Sequence, residues 1–530
     1  MNLIRDAWIP VRCKSGAVKS IAPWQLTEGS GKDVITGLAV PRPDFNGALV
    51  QFLIGLLQTT CAHEDKKQWR NWMQHPPSPK ELQAVFAPLE FAFNLIGDGP
   101  RFMQDRTLQD EIMALEPNEQ EKREKAVYEL LIDAPTGKTL KENTDHFIKR
   151  GAVEKLCLDC AAIALFTLQT NAPAGGKGHR TGLRGGGPMT TLVLADTLWM
   201  TCWLNVLEHQ KFLDLANSDM DKEVHRFPWL SQTRTSEGGK TTTPDNAHPD
   251  QIFWAMPRRI RLIVSNQNED VTCDLCGKPC SHTVKHYFTK NLGVNYEGPW
   301  IHPLSPYFFD AVGSPSAKHP QPGGIDYRHW LGMVQVSQDN KGRRQPAAVI
   351  KQYRNIKNKG SDLRLWAFGY DMDNMKARCW YDSTMPLILA KDTIRELYES
   401  HTAALVNSAR QVSRETRIQV KKALFKTGLD VKGDLSFISL RFWQETEEDF
   451  FSSLNKLRCA LEREQDVISI MESWHKRLVK MAETIFIDVT QTGNFDASDP
   501  KRIALAWCSL HKSIYSKILR NLLGLPVKNA

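Results

Sequence analysis

No stretch of this sequence approaches the ~20 consecutive apolar residues needed to cross a bilayer. The nearest, Leu49 to Leu57, is broken by Gln51 and Gly55 and reads as a buried helix. The start, Met1-Asn2-Leu3-Ile4-Arg5-Asp6, lacks the basic head and apolar core of an export signal. Catalytic signatures are missing as well. There is no GxSxG, no HExxH and no GxxxxGK[ST], and His63-Glu64-Asp65 has no second histidine. These absences exclude the common serine-hydrolase, zinc-protease and P-loop classes. Charge of one sign is also scarce: 68 Lys and Arg stand against 60 Asp and Glu, a net of +8. That balance excludes a histone-like polycation but permits an anionic partner. Neither a low-complexity linker nor an internal repeat of 20–50 residues is present.

What is there is a folded chain of 530 residues, 41% hydrophobic and 24% charged, long enough for two or three domains. Fifteen Trp favour a large aromatic core or binding surface. Eleven Cys is an odd count, and with no export signal it points to a reducing cytoplasm and to metal rather than disulfides.

The pattern changes character near residue 383. Before it, Pro and Gly recur and the apolar period keeps switching, which predicts a mixed α/β domain over 1–382. Within it Trp8-Ile9-Pro10-Val11 and Ile260 to Val264 read as strands, Asn46 to Thr60 and Cys157 to Thr170 as helices, and 231–251 as a surface loop. Beyond it, four amphipathic helices predict a four-helix bundle over 383–530. The first carries Ile394, Leu397, Leu405 and Val412; the second Trp443, Phe450, Leu454 and Leu457; the third Val467 through Phe486 at 3-4 spacing. The fourth starts at Ser498-Asp499-Pro500 and carries Ile503, Trp507, Leu510, Ile514 and Ile518. The fold class is therefore α+β, a large mixed domain followed by a helical one.

Four features could carry chemistry. Cys157-Leu-Asp-Cys160 and Cys273-Asp-Leu-Cys276 are two CxxC knuckles whose four thiolates suit a closed, structural tetrahedral zinc site. Cys273, Cys276, Cys280 and His282 form a local competitor set. The run Gly175 to Pro188 combines glycines with Lys177, His179, Arg180 and Arg184; a bare backbone beside cations can approach phosphate closely. Asn143 to Arg150 places Phe147 among bases. Gly369 to Arg378 reads as a hairpin or tight turn with an amide and an apolar tip, of the kind that wedges between stacked bases. Its Asp371 and Asp373 could instead form the acid pair of a metal-dependent nuclease, the alternative reading.

Taken in order, several blocks resemble the CasA family, the large subunit of the type I-E CRISPR surveillance complex, Cascade. They are Met1-Asn2-Leu3 with Asp6-Ala-Trp8-Ile9-Pro10-Val11, Phe102-Met103-Gln104, Cys160 to Phe166, Thr181 to Gly186 with Pro188 and Thr190-Thr191, Phe253-Trp254, Trp300 with His302-Pro303 and Ser305-Pro306, and Arg354-Asn355-Ile356. The resemblance implies a non-catalytic subunit, one copy per complex, partnered by the other Cascade subunits and CRISPR RNA. It implies recognition of the PAM of double-stranded target DNA through the minor groove, duplex opening and R-loop formation, and recruitment of a helicase-nuclease in antiviral defence. Another class of RNA-guided enzyme divides the work in the same way: base pairing reads the sequence while the protein reads the short motif. Carried over, the PAM-facing glycine loop falls on Gly176, Lys177 and Gly178, and the wedge on Asn374 and Met375, where some members carry Gln. A lysine that reaches PAM edges in some members falls at Asn291, with Lys290 adjacent and able to serve. The loop near the guide's 5′ end falls on His146, Phe147, Ile148 and Lys149. The zinc ligands fall on Cys157, Cys160, Cys273 and Cys276.

Overall fold

The structure is a computed structural model and describes residues 1–61, 66–135, 141, 151–176, 178–216, 226–354, 363–425, 434–491 and 499–526, without the side chains of 267–270. Helix makes up 48% and strand 18%, and the strands pair antiparallel, so the class is α+β. The chain divides into two compact units, one of Met1–Gln321 with Gln338–Thr384, the other of Pro322–Ser337 with Met385–Ala530. Among the described residues no helix is long and apolar enough to cross a membrane.

The first unit is built around the helix Pro43–Cys61. Its apolar residues occupy every face rather than one stripe, and Leu49 to Leu57 are all buried, as a core helix requires. Phe52 sits at the centre. It meets Trp8 (5.4 Å between ring centroids), Phe93, Phe102, Phe166 and Trp254 (5.7 Å) edge-on, the arrangement that aromatic quadrupoles favour. The small residues of the helix Leu158–Asn171 let it pack directly on this core helix.

Three small sheets and one long hairpin surround the core. Ile9–Cys13 lies between Val18–Ile21 and Ile35–Leu38. Arg364–Asp373 lies between Thr190–Leu194 and Lys376–Pro386. The strand expected at Ile260 to Val264 runs from Arg259 to Thr272, because Pro279–Lys290 pairs with it along its polar half. Polar alternation on a hairpin arm gives no apolar signal to read. The segment 231–251 is not a simple surface loop. It holds two short 3-10 turns and buries Thr233, Ser236, Thr242, His248 and Asp250.

In the second unit the helices are Arg395–Leu424, Ser436–Glu462, Ile468–Gln491, Pro500–Ile514 and Lys517–Leu522. The first packs against the next three. Tyr327 stacks on Phe450 at 4.3 Å and shares a 2.7 Å hydrogen bond with Thr446, which ties Pro322–Ser337 into this unit. Asp499 caps the fourth helix by accepting from the Arg502 amide, with Pro500 in the first turn. Two expected core positions are corrected. Leu397 is 52% exposed, and its neighbour Tyr398 turns inward and donates to the Ile388 carbonyl. Ile518 is 72% exposed because the helix stops at Ile514 and restarts after Ser516, whose hydroxyl accepts from the Leu519 amide. The restart resets the phase, and Leu519 takes the buried place.

Replacing Phe52 with Ala removes the ring on which five others converge. A loss of about 3–5 kcal/mol is expected for such a truncation. It should appear in a thermal scan as a transition several degrees lower, and an unchanged melting temperature would show that the cluster is not the centre of this core.

Candidate functional site

The glycine-rich segment is anchored at both ends of its course. Gly182 donates to the Ala172 carbonyl (2.9 Å) and Gly187 to that of Asn171 (3.1 Å). Its tip closes on itself, with the His179 amide donating to the Gly176 carbonyl at 2.9 Å. The Gly178 carbonyl accepts from the Leu292 amide at 2.9 Å. Gly176 and Gly178 have φ of +65° and +82°, a region costly for side-chain-bearing residues. A Cβ on Gly178 would stand 3.0 Å from the Leu292 side chain. Lys177 lies outside the described residues.

Two of the three described cations of this run are taken up by the fold, and the third is held at one nitrogen. Arg184 is 5% exposed and donates to Gln51 (2.6 Å), Ser305 (2.9 Å) and Thr190 (3.1 Å). Arg180 donates to the Ser236 hydroxyl at 2.9 Å. Burial, with the nearby Arg258 charge, pushes the His179 imidazole down to about 4, so it is neutral near pH 7. For Arg184 and His179 the expectation of phosphate-facing cations is therefore corrected to one of structural groups. A buried guanidinium and a phosphate-seeking one look alike in a glycine-rich run.

The segment 369–378 forms the expected hairpin. Arg364–Asp373 and Lys376–Pro386 are joined by Asn374 and Met375, with Asn374 at φ +54°. Met375 is 53% exposed at the tip. The fold brings the two loops together: a Cβ on Gly176 would lie 3.9 Å from the Met375 sulfur. The base of the hairpin is held by Tyr370, whose hydroxyl donates to buried Asp44 at 2.5 Å. Burial and the Asp44 carboxylate push the Tyr370 phenol well up, so it remains a donor.

The acid pair is accounted for differently from the nuclease reading. Asp371 is buried and accepts from Arg378 at 2.6 Å, and the same guanidinium lies 3.6 Å from Asp373. A guanidinium occupies the place between the carboxylates that a cation would need. Lys290 is likewise engaged, with its ammonium 2.8 Å from Glu111 and Arg259 2.7 Å from the same carboxyl. Burial opposes the charge there, but hydrogen bonds from Lys290, Arg259 and Thr107 hold Glu111 at about 2. Sequence reasoning missed Leu292, a non-glycine residue at φ +58° that pins Gly178 and follows the Lys290 strand; only its closeness to Lys290 could have pointed to it. His146, Phe147, Ile148 and Lys149 lie outside the described residues.

The cysteines form a distinct cluster. The ligand atoms of Cys157, Cys160, Cys273 and Cys276 all lie within 4.8 Å of one another, the first three residues buried. Cys157 and Cys276 sulfurs are 3.7 Å apart, close to the edge of about 3.8 Å that follows from four Zn–S bonds in a tetrahedron. Cys157 also caps the helix Leu158–Asn171, its sulfur accepting from the Cys160 amide at 3.4 Å. Asp274 fixes the second knuckle to the first by accepting from the Glu154 and Lys155 amides at 2.7 and 2.9 Å. A divalent cation satisfies all four sulfurs at once, so the donor set fits zinc. The competitor set does not assemble, since the Cys280 thiol donates to the Val271 carbonyl at 3.2 Å. Among the described residues this is the one group of three or more candidate ligands.

The family profile of CRISPR-associated protein Cse1 matches residues 2–485. The chain belongs to the Cse1 family. Solved Cse1 structures share its fold. Thermus thermophilus CasA (Cse1) is 16% identical with a TM-score of 0.67, over 97% of this chain and 99% of that one. Thermobifida fusca Cse1 is 16% identical with a TM-score of 0.67, over 99% and 98%. A chain of a CRISPR RNA-guided surveillance complex is 15% identical with a TM-score of 0.68, over 97% and 99%. As a Cse1 family member the chain pairs a glycine loop with an exposed hairpin tip in a space that nothing in either local sequence announces.

The cysteine geometry has a direct consequence. Cys157→Ser is expected to abolish zinc measured by mass analysis of the purified protein and to lower its melting temperature, whereas Cys280→Ser retains one zinc per chain. The reverse pattern would assign the ion to the Cys280–His282 set.

Proposed function

We propose that this chain is the non-catalytic large subunit of a type I-E Cascade complex, and that its glycine loop and hairpin read and open the PAM of double-stranded DNA. The observation that carries the reading is the approach of Gly176 to Met375. A minor groove about 6 Å wide admits backbone more readily than bulky side chains. The loop of Gly176, Lys177 and Gly178 supplies such a backbone, and Lys177 adds a cation for the phosphates. Beside it, the exposed Met375 thioether and the Asn374 amide serve as the wedge that enters beneath the PAM. Unstacking a base step costs a few kcal/mol, and an apolar side chain filling the gap offsets part of it. A wedge must not bend under that load, and the Tyr370–Asp44 and Arg378–Asp371 bonds stiffen its base.

Lys290 reaches a base edge only by leaving Glu111, so its part in recognition is an exchange of one acceptor for another. The four cysteines hold structural zinc, which joins the start of the helix Leu158–Asn171 to the end of the long hairpin. That helix ends where the glycine run begins. His146, Phe147, Ile148 and Lys149 anchor the subunit near the guide RNA. The C-terminal helices form a four-helix bundle that meets sister subunits and the recruited helicase-nuclease. The subunit is present in one copy, works in the cytoplasm in antiviral defence, and leaves the cutting to its partner.

Two measurements test this. Gly178→Asp in the reconstituted complex puts bulk and negative charge where the groove must fit. Binding of PAM-bearing duplex in a gel shift should fall at least about tenfold, equivalent to about 1.36 kcal/mol, and undiminished affinity would remove the loop from this role. Asn374→Ala with Met375→Ala should leave the PAM encounter intact but slow duplex opening, followed by 2-aminopurine fluorescence beside the PAM. Opening at the wild-type rate would refute the wedge.

A further inference from the structure

Arg184 is a buried cation whose hydrogen-bond partners are all neutral. Its Nη1 donates to the hydroxyls of Thr190 (3.1 Å) and Ser305 (2.9 Å), and its Nη2 to the Gln51 amide oxygen (2.6 Å). A guanidinium carries five N–H groups. Nε–H and one N–H of Nη2 are therefore left without an acceptor among the described residues. Burial pushes the group down to about 10, which still leaves it protonated near pH 7. The charge that opposes this loss is that of Tyr307. Burial raises that phenol to about 12, so it too is neutral near pH 7 and supplies no counter-ion.

A cavity of about 20 Å³ lies beside the guanidinium. Phe166, Leu183, Ile252 and Phe253 supply its apolar wall, and Arg184 and His302 line it as well. His302 is buried, and its Nδ1 accepts from the Leu304 amide at 3.1 Å. Burial, then the Arg184 charge, hold this imidazole well below its usual range, so the ring is neutral. With Nδ1 an acceptor, the ring proton sits on Nε2, which also finds no acceptor among the described residues. The side-chain amide oxygens of the wall are already used. Gln51 Oε1 accepts from Arg184 and from Thr190 (3.3 Å), and Gln169 Oε1 from the Arg258 amide (2.9 Å).

Such a volume holds one water-sized particle. A water molecule would satisfy the N–H groups but leave the charge uncompensated, and a buried charge is costly unless it is paired. A small anion meets both needs, and an anion as large as sulfate does not fit. We infer that the cavity lined by Arg184 and His302 binds a monovalent anion of the size of chloride, as the counter-ion of the buried guanidinium. The anion sits where Arg184 ties the glycine run to the helix Pro43–Cys61 through Gln51, and it steadies that tie. The site needs neither a PAM nor any nucleic acid.

The test uses the full-length chain. Its melting temperature is followed as sodium gluconate, too large for the cavity, is exchanged for sodium chloride at constant ionic strength. A ligand that binds the folded state alone raises stability with the logarithm of its concentration once that exceeds Kd. The wild type should therefore melt higher by a similar step at each tenfold rise in chloride. Arg184→Met removes the charge, and Ala255→Leu fills the cavity from its wall. Both should lose the chloride dependence, with circular dichroism reporting whether each is folded. A wild-type crystal soaked in bromide should show an anomalous scattering peak in the cavity, a result that does not depend on either variant folding. No bromide peak there, or a wild-type melting temperature indifferent to chloride, would overturn the inference and leave the cavity to water. A chloride dependence that persists in folded Ala255→Leu would also overturn it, because the anion would then bind elsewhere.

Discussion

The helix Pro43–Cys61 is buried on all sides, and the parts proposed to touch DNA are fastened to it. From its first turn Asp44 accepts the Tyr370 hydroxyl at the base of the hairpin. From its middle Gln51 accepts from Arg184 and so ties down the glycine run. Next to Gln51, Phe52 gathers the aromatic core that fixes the helix itself. Charged and amide groups are costly to bury unless paired, so each bond is as much a requirement of the core as a support for the site. The approach of Gly176 to Met375 is a consequence of both loops being held by one rigid element.

The four cysteines act at the other end of the same chain of supports. They join the start of the helix Leu158–Asn171 to the turn of the long hairpin, and that helix leads into the glycine run. The far end of the hairpin delivers Lys290 and Leu292, and Leu292 bonds Gly178. The loop is therefore gripped from both the helix that precedes it and the strand that passes beside it. Such double support is what a short loop needs in order to keep one shape.

Much of the fold was legible. Clean 3-4 spacing marked the C-terminal helices, the Asp499-Pro500 start signal is used as such, and the hairpin at 369–378 forms where its turn residues stand. The CxxC knuckles pointed to each other. The failures share a cause. Leu397 and Ile518 extended an apolar stripe past the point where a neighbour or a restart changed its phase. The polar arm of the long hairpin was invisible because its partner strand, not its own pattern, makes it a strand.

By itself the sequence determined what depends on neighbours along the chain: helix periods, caps, turns, the thiol pairs and the weak positive balance. Tertiary structure decided which of the described cations are engaged. Arg184 and Arg180 were drawn into hydrogen bonds, His179 was left neutral, and Lys290 was paired with Glu111. It also decided that Asp371 belongs to Arg378 and that Gly176 faces Met375. The reason is physical. Local structure follows from backbone geometry within a few residues, whereas the state of a charge follows from whatever the fold places within a few ångströms of it, from anywhere in the chain.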